Sequence, residues 1–292
     1  MKVIAVTVNW NRPRDTLECV ESLLHQIPSV PEIIVVDNGS TDDSVEKLQN
    51  SGYSFSLIAL KENLGFSQGY NLGIKHALSQ GADAVLIINN DATLAPNALS
   101  TLSNYLKGNI GAIAPLIFYD ADPEKIWAIG GKINPLLLEK KDTYSGKRLG
   151  SNLPPFIEQD FIPACILLIP RTTFQKVGFF DGNFYMYYED LDFSNRIKKS
   201  GLKLFVITSA HAWHKAANSS GGIDSPNERY WMARSSIRYF VKHAHGAQFL
   251  FIIPFRLISA IRTTIKLLLS KKYQSINMYW RGILDGLKDI KR

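Results

Sequence analysis

Four short β-rich runs, each ended by polar side chains and followed by helical periodicity, fill the first hundred residues of this 292-residue chain. The runs are 3–8, Glu32–Asp37, 56–60 and Ala84–Ile88. After the first, Pro13 marks a helix start, and Leu17, Val20 and Leu24 recur at helical spacing. A short helix is expected after the turn residues 38–42, another over 66–80 closed by Gly81, and a fourth from about Pro96. Ile33-Ile34-Val35-Val36 is a run suited to a strand buried on both faces. Strands that alternate with helices need crossover connections, so this order predicts an α/β fold with a doubly wound, mostly parallel sheet flanked by helices.

Beyond residue 110 the rhythm changes. Segments 110–118 and 161–169 read as strands, separated by a loop-rich stretch whose middle, 139–148, is charged and expected to be mobile. A helix is expected over 189–200, a strand over 202–207, and helices from about Asn227 onward. The division expected is a catalytic domain over 1–228, with halves meeting near 110, and a helical tail over 229–292.

Charge follows the same division. Residues 229–292 hold 13 Lys/Arg and 2 Asp/Glu, whereas residues 1–228 hold 20 and 24. A basic tail on a mildly acidic body suggests an anionic partner. Its basic residues alternate with aliphatics rather than stacking aromatics, which argues against nucleic acid. Residues 3–10 read as a buried strand rather than a signal segment, and 243–255, bounded by Lys242 and Arg256, is too short to span a bilayer. Cys19 and Cys165 fit neither a disulfide framework nor a zinc pattern.

Ligands of open parallel sheets sit beyond the carboxyl ends of the strands. Three such ends carry Asn9-Trp10-Asn11, Asp37-Asn38-Gly39-Ser40 and Asn89-Asn90-Asp91. No GxGxxG follows the first strand and no GxxxxGK[ST] is present, which disfavours simple dinucleotide binding and P-loop chemistry. A carboxylate after the second strand can accept hydrogen bonds from a ribose or base. One after the fourth can bind a hard cation that bridges a diphosphate.

These segments, with IIVVDNGSTDDS over 33–44, ENLGFSQGYNLGI over 62–74 and LIINNDAT over 86–93, resemble the nucleotide-sugar half of family 2 glycosyltransferases, which have the GT-A fold. VGFFDGNFYMYYEDLDFSNR over 177–196 and AWHKAANSSG over 212–221 resemble the acceptor half of the rhamnosyltransferase-like branch. The resemblance covers residues 3–240. It implies an inverting, metal-dependent transfer of a sugar, with rhamnose as the branch's sugar, from a dTDP- or UDP-sugar to a glycan or lipid-linked glycan.

Residue by residue, the resemblance implies donor contacts from Asn9, Asn11, Asp37, Asn38, Asn63, Gly65, Asn71 and Asn90, with Asp37 on the base. Asp91 matches the last position of the metal-binding DxD motif, and Asn89 stands where many members have Asp. His214 would complete a Mg²⁺ or Mn²⁺ site, Lys215 would contact phosphate, and the loop 218–222 would close over the diphosphate. Glu189-Asp190 matches the acidic pair that supplies the base. Adjacent residues at a helix start point about 100° apart, so one faces the acceptor: Asp190 first, Glu189 second. Asp192 has a structural reading, because Arg196 lies four residues on. The aromatic run from Phe179 to Tyr188 is expected mostly to pack beneath the acidic helix.

On a helical wheel, 257–269 has a wide apolar face and a narrow basic edge. It fits a helix lying in a membrane interface, with Arg256, Arg262, Lys266, Lys271 and Lys272 on lipid phosphates. That places the protein at the inner face of the cell membrane as a peripheral, cytoplasmic enzyme; the competing expectation is a packed helix or a homodimer contact. Two other functions compete. A nucleotidyltransferase should carry a glycine-rich basic loop after the first strand, which is absent. A degenerate, non-catalytic binding protein gains support only from Asn89.

Overall fold

The computed structural model describes residues 1–148, 153–215 and 222–290. The chain divides into two units. The first comprises Met1–Lys132, Asp142–Asn183 and Asp190–Ala216; the second comprises Ile133–Lys141, Phe184–Glu189 and Ala217–Arg292.

The first unit is built on a ten-stranded sheet. Its opening strands are β1 (Val3–Asn9), β2 (Glu32–Asp37), β3 (Ser56–Ala59) and β4 (Ala84–Ile88), followed by the short β5 (Ala92–Leu94). Next in the chain come β6 (Ile110–Tyr119), β7 (Asp122–Ala128), β8 (Gly131–Ile133), β9 (Lys140–Asp142), β10 (Phe156–Gln159), β11 (Ile166–Pro170) and β12 (Lys203–His214), of which β8 and β9 make a separate two-stranded sheet. The main order is β10-β12-β6-β11-β4-β1-β2-β3, with β5 against β12 and β7 against β6. β4, β1, β2 and β3 are mutually parallel, as are β6 and β12, while β11 runs antiparallel between the two groups.

The sheet has apolar layers on both faces. Ile4 and Val6 enter one core and Ala5 the other, as the two-residue strand period requires. Helix α1 (Pro13–Leu24) starts with proline at its first turn and buries Thr16, Cys19, Val20 and Leu23, one face at helical spacing. A short α2 (Ser44–Gln49) follows β2. Helix α3 (Gly65–Ser79) lies close on β1, because a Cβ on Gly73 would come within 2.3 Å of Val6 Cγ1. Helices α4 (Ala98–Tyr105), α5 (Arg171–Val177) and α6 (Glu189–Lys199) follow.

Three expectations change. The strand foreseen over 161–169 begins only at Ile166, and Phe161 makes an isolated bridge to Gly131. Pro163 has no N–H to give a ladder and restricts the residue before it. The strand foreseen over 202–207 runs on to His214, because β12 re-registers on β6 across an irregularity between Ile207 and His211 and then pairs with β5. The charged stretch 139–148 carries β9 rather than loop alone.

The second unit contains three long helices. α7 (Pro226–His243) is capped by Ser225, whose side chain accepts from the Glu228 backbone N–H. α8 (Phe249–Leu269) and α9 (Tyr273–Asp289) follow. α9 packs tightly on α7: a Cβ on Gly282 would lie 2.3 Å from the Tyr230 carbonyl oxygen, and one on Gly286 3.0 Å from that of Arg234. Arg234–Asp289 at 2.9 Å and Tyr230–Asp285 at 3.2 Å link the same pair of helices.

Candidate active site

The carboxyl ends of β1 and β2 lie side by side, with Asn9 opposite Asp37. Both side chains are fully buried, so each polar atom must find a partner within the fold. Asn9 Nδ2 donates to Asp37 Oδ2 at 2.7 Å and to Ser40 Oγ at 3.1 Å. Asp37 also accepts from the Ser40 backbone N–H at 2.9 Å and from the Ser40 hydroxyl at 2.6 Å. Thr16 Oγ1 donates to Asn9 Oδ1 at 2.7 Å and receives Asn90 Nδ2 at 3.1 Å, which carries the network to the end of β4. Asn11, at a positive φ of 54°, braces the same turn by accepting from the Thr41 backbone N–H at 2.8 Å.

Asn38 is equally engaged. Its Nδ2 donates to Asn63 Oδ1 at 3.0 Å and to the Gly65 carbonyl at 3.1 Å, and its Oδ1 accepts from Leu64 N–H at 3.0 Å. Gly39 permits this turn: its φ is +70°, and a Cβ there would sit 2.3 Å from the Glu62 carbonyl carbon. Asn71 reaches elsewhere. It donates to the Phe180 carbonyl at 2.8 Å and accepts from Phe180 N–H at 3.1 Å, clamping the 177–183 loop to α3. In this structure, then, Asn9, Asn11, Asp37, Asn38, Asn63 and Asn71 all hold protein partners.

At the end of β4, Asp91 meets His214 from 123 residues away. The pairing of β5 with β12 makes the contact, because it sets Ala92 opposite His214. The His214 Nε2 to Asp91 Oδ1 distance is 2.9 Å, and the residues are 6% and 3% exposed. The Trp127 ring lies against the imidazole with centroids 4.3 Å apart. Burial works against charge on His214, but Cys165 and Asp91 beside it raise its pKa to about 10. Burial likewise opposes charge on Asp91, yet the His214 hydrogen bond and the positive charges of His214 and Arg12 hold its carboxyl below the ordinary value. Burial pushes the Cys165 thiol up.

Among the described residues, no group of three or more His, Cys, Asp or Glu side chains is placed to hold a metal ion. Asp91 offers an oxygen, and His214 offers a nitrogen once it gives up the proton that it shares with Asp91. That donor set fits a hard divalent cation only if donor phosphates and water complete the coordination.

Lys215 is occupied: its Nζ lies 2.7 Å from Asp15 Oδ1 and also bonds Glu18, tying the end of β12 to α1. The closing loop expected over 218–222 lies, except for Gly222, outside the described residues. Asp192 forms the anticipated ion pair with Arg196 at 2.9 Å, and Arg196 also donates to the Val177 and Phe179 carbonyls. Glu189 and Asp190 open α6. Asp190 Oδ1 accepts from Leu191 N–H at 2.7 Å, and Glu189 is buried. Tyr187 and Tyr188, just before them, both have positive φ near 66°, a costly backbone for side chains of that size. Of the aromatic run, Phe180 packs on Phe66 and Phe193, and Tyr188 on Tyr239.

Two contributors escaped the sequence reading. Arg12 supplies positive charge toward Asp91 and pairs with Asp15 at 3.1 Å; its place directly after Asn11, at a strand end, was the available signal. Trp127, on β7, had no signal at all, because only the sheet order brings it to His214.

The family model "Glycosyl transferase family 2" matches residues 4–169. The dTDP-rhamnosyl transferase RfbF of Shigella flexneri is 24% identical over 99% of this chain and 96% of its own length. The N-acetylglucosaminyl-diphospho-decaprenol L-rhamnosyltransferase of Mycobacterium tuberculosis is 26% identical over 76% of this chain and 78% of its own. Among solved structures, the Pyrobaculum calidifontis mannosyltransferase PcManGT, in complex with GDP-Man and Mn²⁺, superposes with a TM-score of 0.59 at 13% identity, over 98% of this chain and 75% of that one. GalNAc-T7 with UDP, GalNAc and Mn²⁺ gives a TM-score of 0.63 at 15% identity over 82% of this chain, which spans half of that structure's length.

Proposed function

This chain belongs to glycosyl transferase family 2, and we propose that it moves a rhamnosyl group from dTDP-rhamnose to a hydroxyl of a lipid-linked glycan, with inversion. The chain is a glycosyltransferase of GT-A fold; the donor, the acceptor and the residue roles are the proposal. The meeting of Asp91 and His214 at the sheet edge carries it. Buried ionisable groups at the carboxyl end of parallel strands, with Arg12 charge beside them, suit a nucleoside diphosphate. Both relatives above are named as rhamnosyltransferases, and one name specifies a diphospho-decaprenol acceptor.

In this reading, Asp37 and Asn38 shape the base and ribose side of the donor. Asp37 would exchange its Ser40 contacts for the base, while Asn9 and Thr16 keep it in place. Asn63, Gly65 and Asn90 would line the ribose and diphosphate side, and Asn71 would join them by giving up its Phe180 contacts. Asp91 and His214 would hold a divalent cation, Mg²⁺ or Mn²⁺, which when bound offsets charge on the departing diphosphate.

The acceptor hydroxyl oxygen attacks the anomeric carbon as the bond from that carbon to the phosphate oxygen breaks on the opposite face. Asp190 takes the hydroxyl proton, or Glu189 does if the acceptor approaches from its side. A lipid-linked acceptor places the reaction at the inner face of a membrane. No helix among the described residues is long and apolar enough to cross one.

The test is dTDP and UDP affinity with Mn²⁺ and with EDTA, for wild type and Asp91→Ala. Wild type should bind dTDP more tightly with Mn²⁺, and the variant should lose that gain. Equal affinity in all arms would remove the cation from the reading, and no nucleotide binding at all would remove the donor site.

A further inference from the structure

The second unit presents an amphipathic helix turned outward. Taking Arg256 as the zero of the wheel and about 100° per residue, α8 packs through a narrow arc around Arg256 that includes Ile252, Ala260 and Leu267. Arg256 itself points inward. It pairs with Glu139 at 2.8 Å, donates to Ser236 Oγ at 3.1 Å and stacks on the Phe240 ring at 4.8 Å. It therefore does not reach lipid phosphates, contrary to the expectation from sequence. The arc from about 60° to 220° is apolar and exposed, and includes Leu250, Leu257, Ile258, Ile261, Ile265 and Leu268. Leu250 is 74% exposed and Leu269 79%. A soluble surface rarely leaves so long an aliphatic stripe in water.

The edges of the stripe identify its occupant. Along one edge lies the exposed Arg262, and the exposed Lys271 follows the helix end, whereas Lys266 and Lys272, also expected on lipid phosphates, are drawn to Asp224 at 2.9 and 3.6 Å instead. Along the other, Trp280 of α9 donates to Thr264 Oγ1 at 3.2 Å and is itself 40% exposed. Aliphatic face, basic edge and indole edge together match the layers of a bilayer interface: acyl chains, anionic phosphates and the headgroup boundary. A second copy of the chain matches less well. No Asp or Glu occurs between Arg229 and Leu284, so a twin helix offers these cations no partner.

We propose that α8 is an interfacial membrane helix that lays its outward stripe into an anionic lipid surface without spanning it. The assignment deepens the proposed function and rests on its lipid-linked acceptor for its purpose, though not for its geometry.

The experiment is co-sedimentation of the full-length protein with vesicles of phosphatidylcholine alone or mixed with phosphatidylglycerol, at low and high salt. Wild type should bind the mixed vesicles, and salt should weaken the binding without abolishing it. A triple variant, Leu257→Ser, Ile261→Ser and Ile265→Ser, should bind about a hundredfold more weakly at both salts. Its thermal midpoint and dTDP affinity should be unchanged, because all three side chains are already exposed. The pair Arg262→Glu and Lys271→Glu should lose at least about tenfold, at low salt only.

Failure of wild type to bind mixed vesicles overturns the proposal. So does a triple variant that sediments like wild type. A wild-type dimer that the triple variant dissociates, with no vesicle binding, assigns the stripe to a second copy instead. Loss of dTDP binding in every arm would overturn the donor reading while leaving the vesicle result standing.

Discussion

At the carboxyl edge of the sheet, ionisable side chains are buried; along α8, aliphatic ones are exposed. Asp91 and His214 give up water for each other, at 2.9 Å, in a setting where isolated charges would be costly. Leu250 and Leu269 remain in water although neighbouring helices of the same unit bury apolar residues. Each region departs from the usual sorting of polar outward and apolar inward, and in opposite senses. The departures are informative because packing alone would remove both: a small apolar pair at the sheet edge and a polar outer face on α8 would each cost less.

Removing chemistry from the first region while leaving its shape should have the most severe outcome. Asp190→Asn keeps the acceptor of the Leu191 N–H bond but cannot take a proton. Turnover should fall by about a hundredfold or more with dTDP affinity nearly unchanged, measured by transfer kinetics and nucleotide titration. Near-normal turnover, with Glu189→Gln inactive, would move the base one residue back.

A smaller effect sharpens the second region. Arg256 fixes which face of α8 is inward, so Arg256→Ala strands Glu139 and empties the space on Phe240. The cost should be about 2–3 kcal/mol in denaturant unfolding, with vesicle binding retained. If stability is unchanged, something other than this arginine orients the helix.

The smallest effect is electrostatic. Asp224 pairs with Arg229 at 2.7 Å and with Lys266 at 2.9 Å, tying the segment before α7 to α8. Burial alone would raise its pKa, but Lys266, Arg229 and Lys272 hold it below the ordinary aspartate value. A carboxyl depressed in the folded state stabilises above its unfolded pKa and loses that contribution as pH falls through the folded one. Asp224→Asn should therefore cost about 1 kcal/mol at neutral pH, and the gap from wild type should close as acid unfolding is followed below pH about 4. A gap independent of pH would mean that the loss is steric.

Much of the first unit was legible because its signals are local. β2 and β4 fall where their apolar runs predict, and α1 begins at Pro13. The polar strand ends identified Asn9, Asp37 and Asp91 as one edge, since parallel strands present their carboxyl ends together. What those side chains touch was not legible. Asp37 is saturated by Asn9 and Ser40, and Asn71 clamps Phe180. The Ser40 contact is local, three residues on, but the Asn9–Asp37 and Asn71–Phe180 bonds depend on backbone placement across 28 and 109 residues, which no local pattern encodes.

The alternation of strand and helix, the Asp192–Arg196 pair and the amphipathic character of the tail follow from spacing within a few turns of chain. Other features required contacts between distant segments. Re-registration of β12 on β6, followed by its pairing with β5, carried His214 to Asp91, and the pairing of β7 with β6 set Trp127 beside His214. In the tail, glycine-mediated contact of α9 with α7, and Arg256 reaching Glu139, turned the apolar side of α8 outward. A helical pattern states that two faces differ; which of them meets the protein is set by the partner surface, and that surface exists only once the chain has folded.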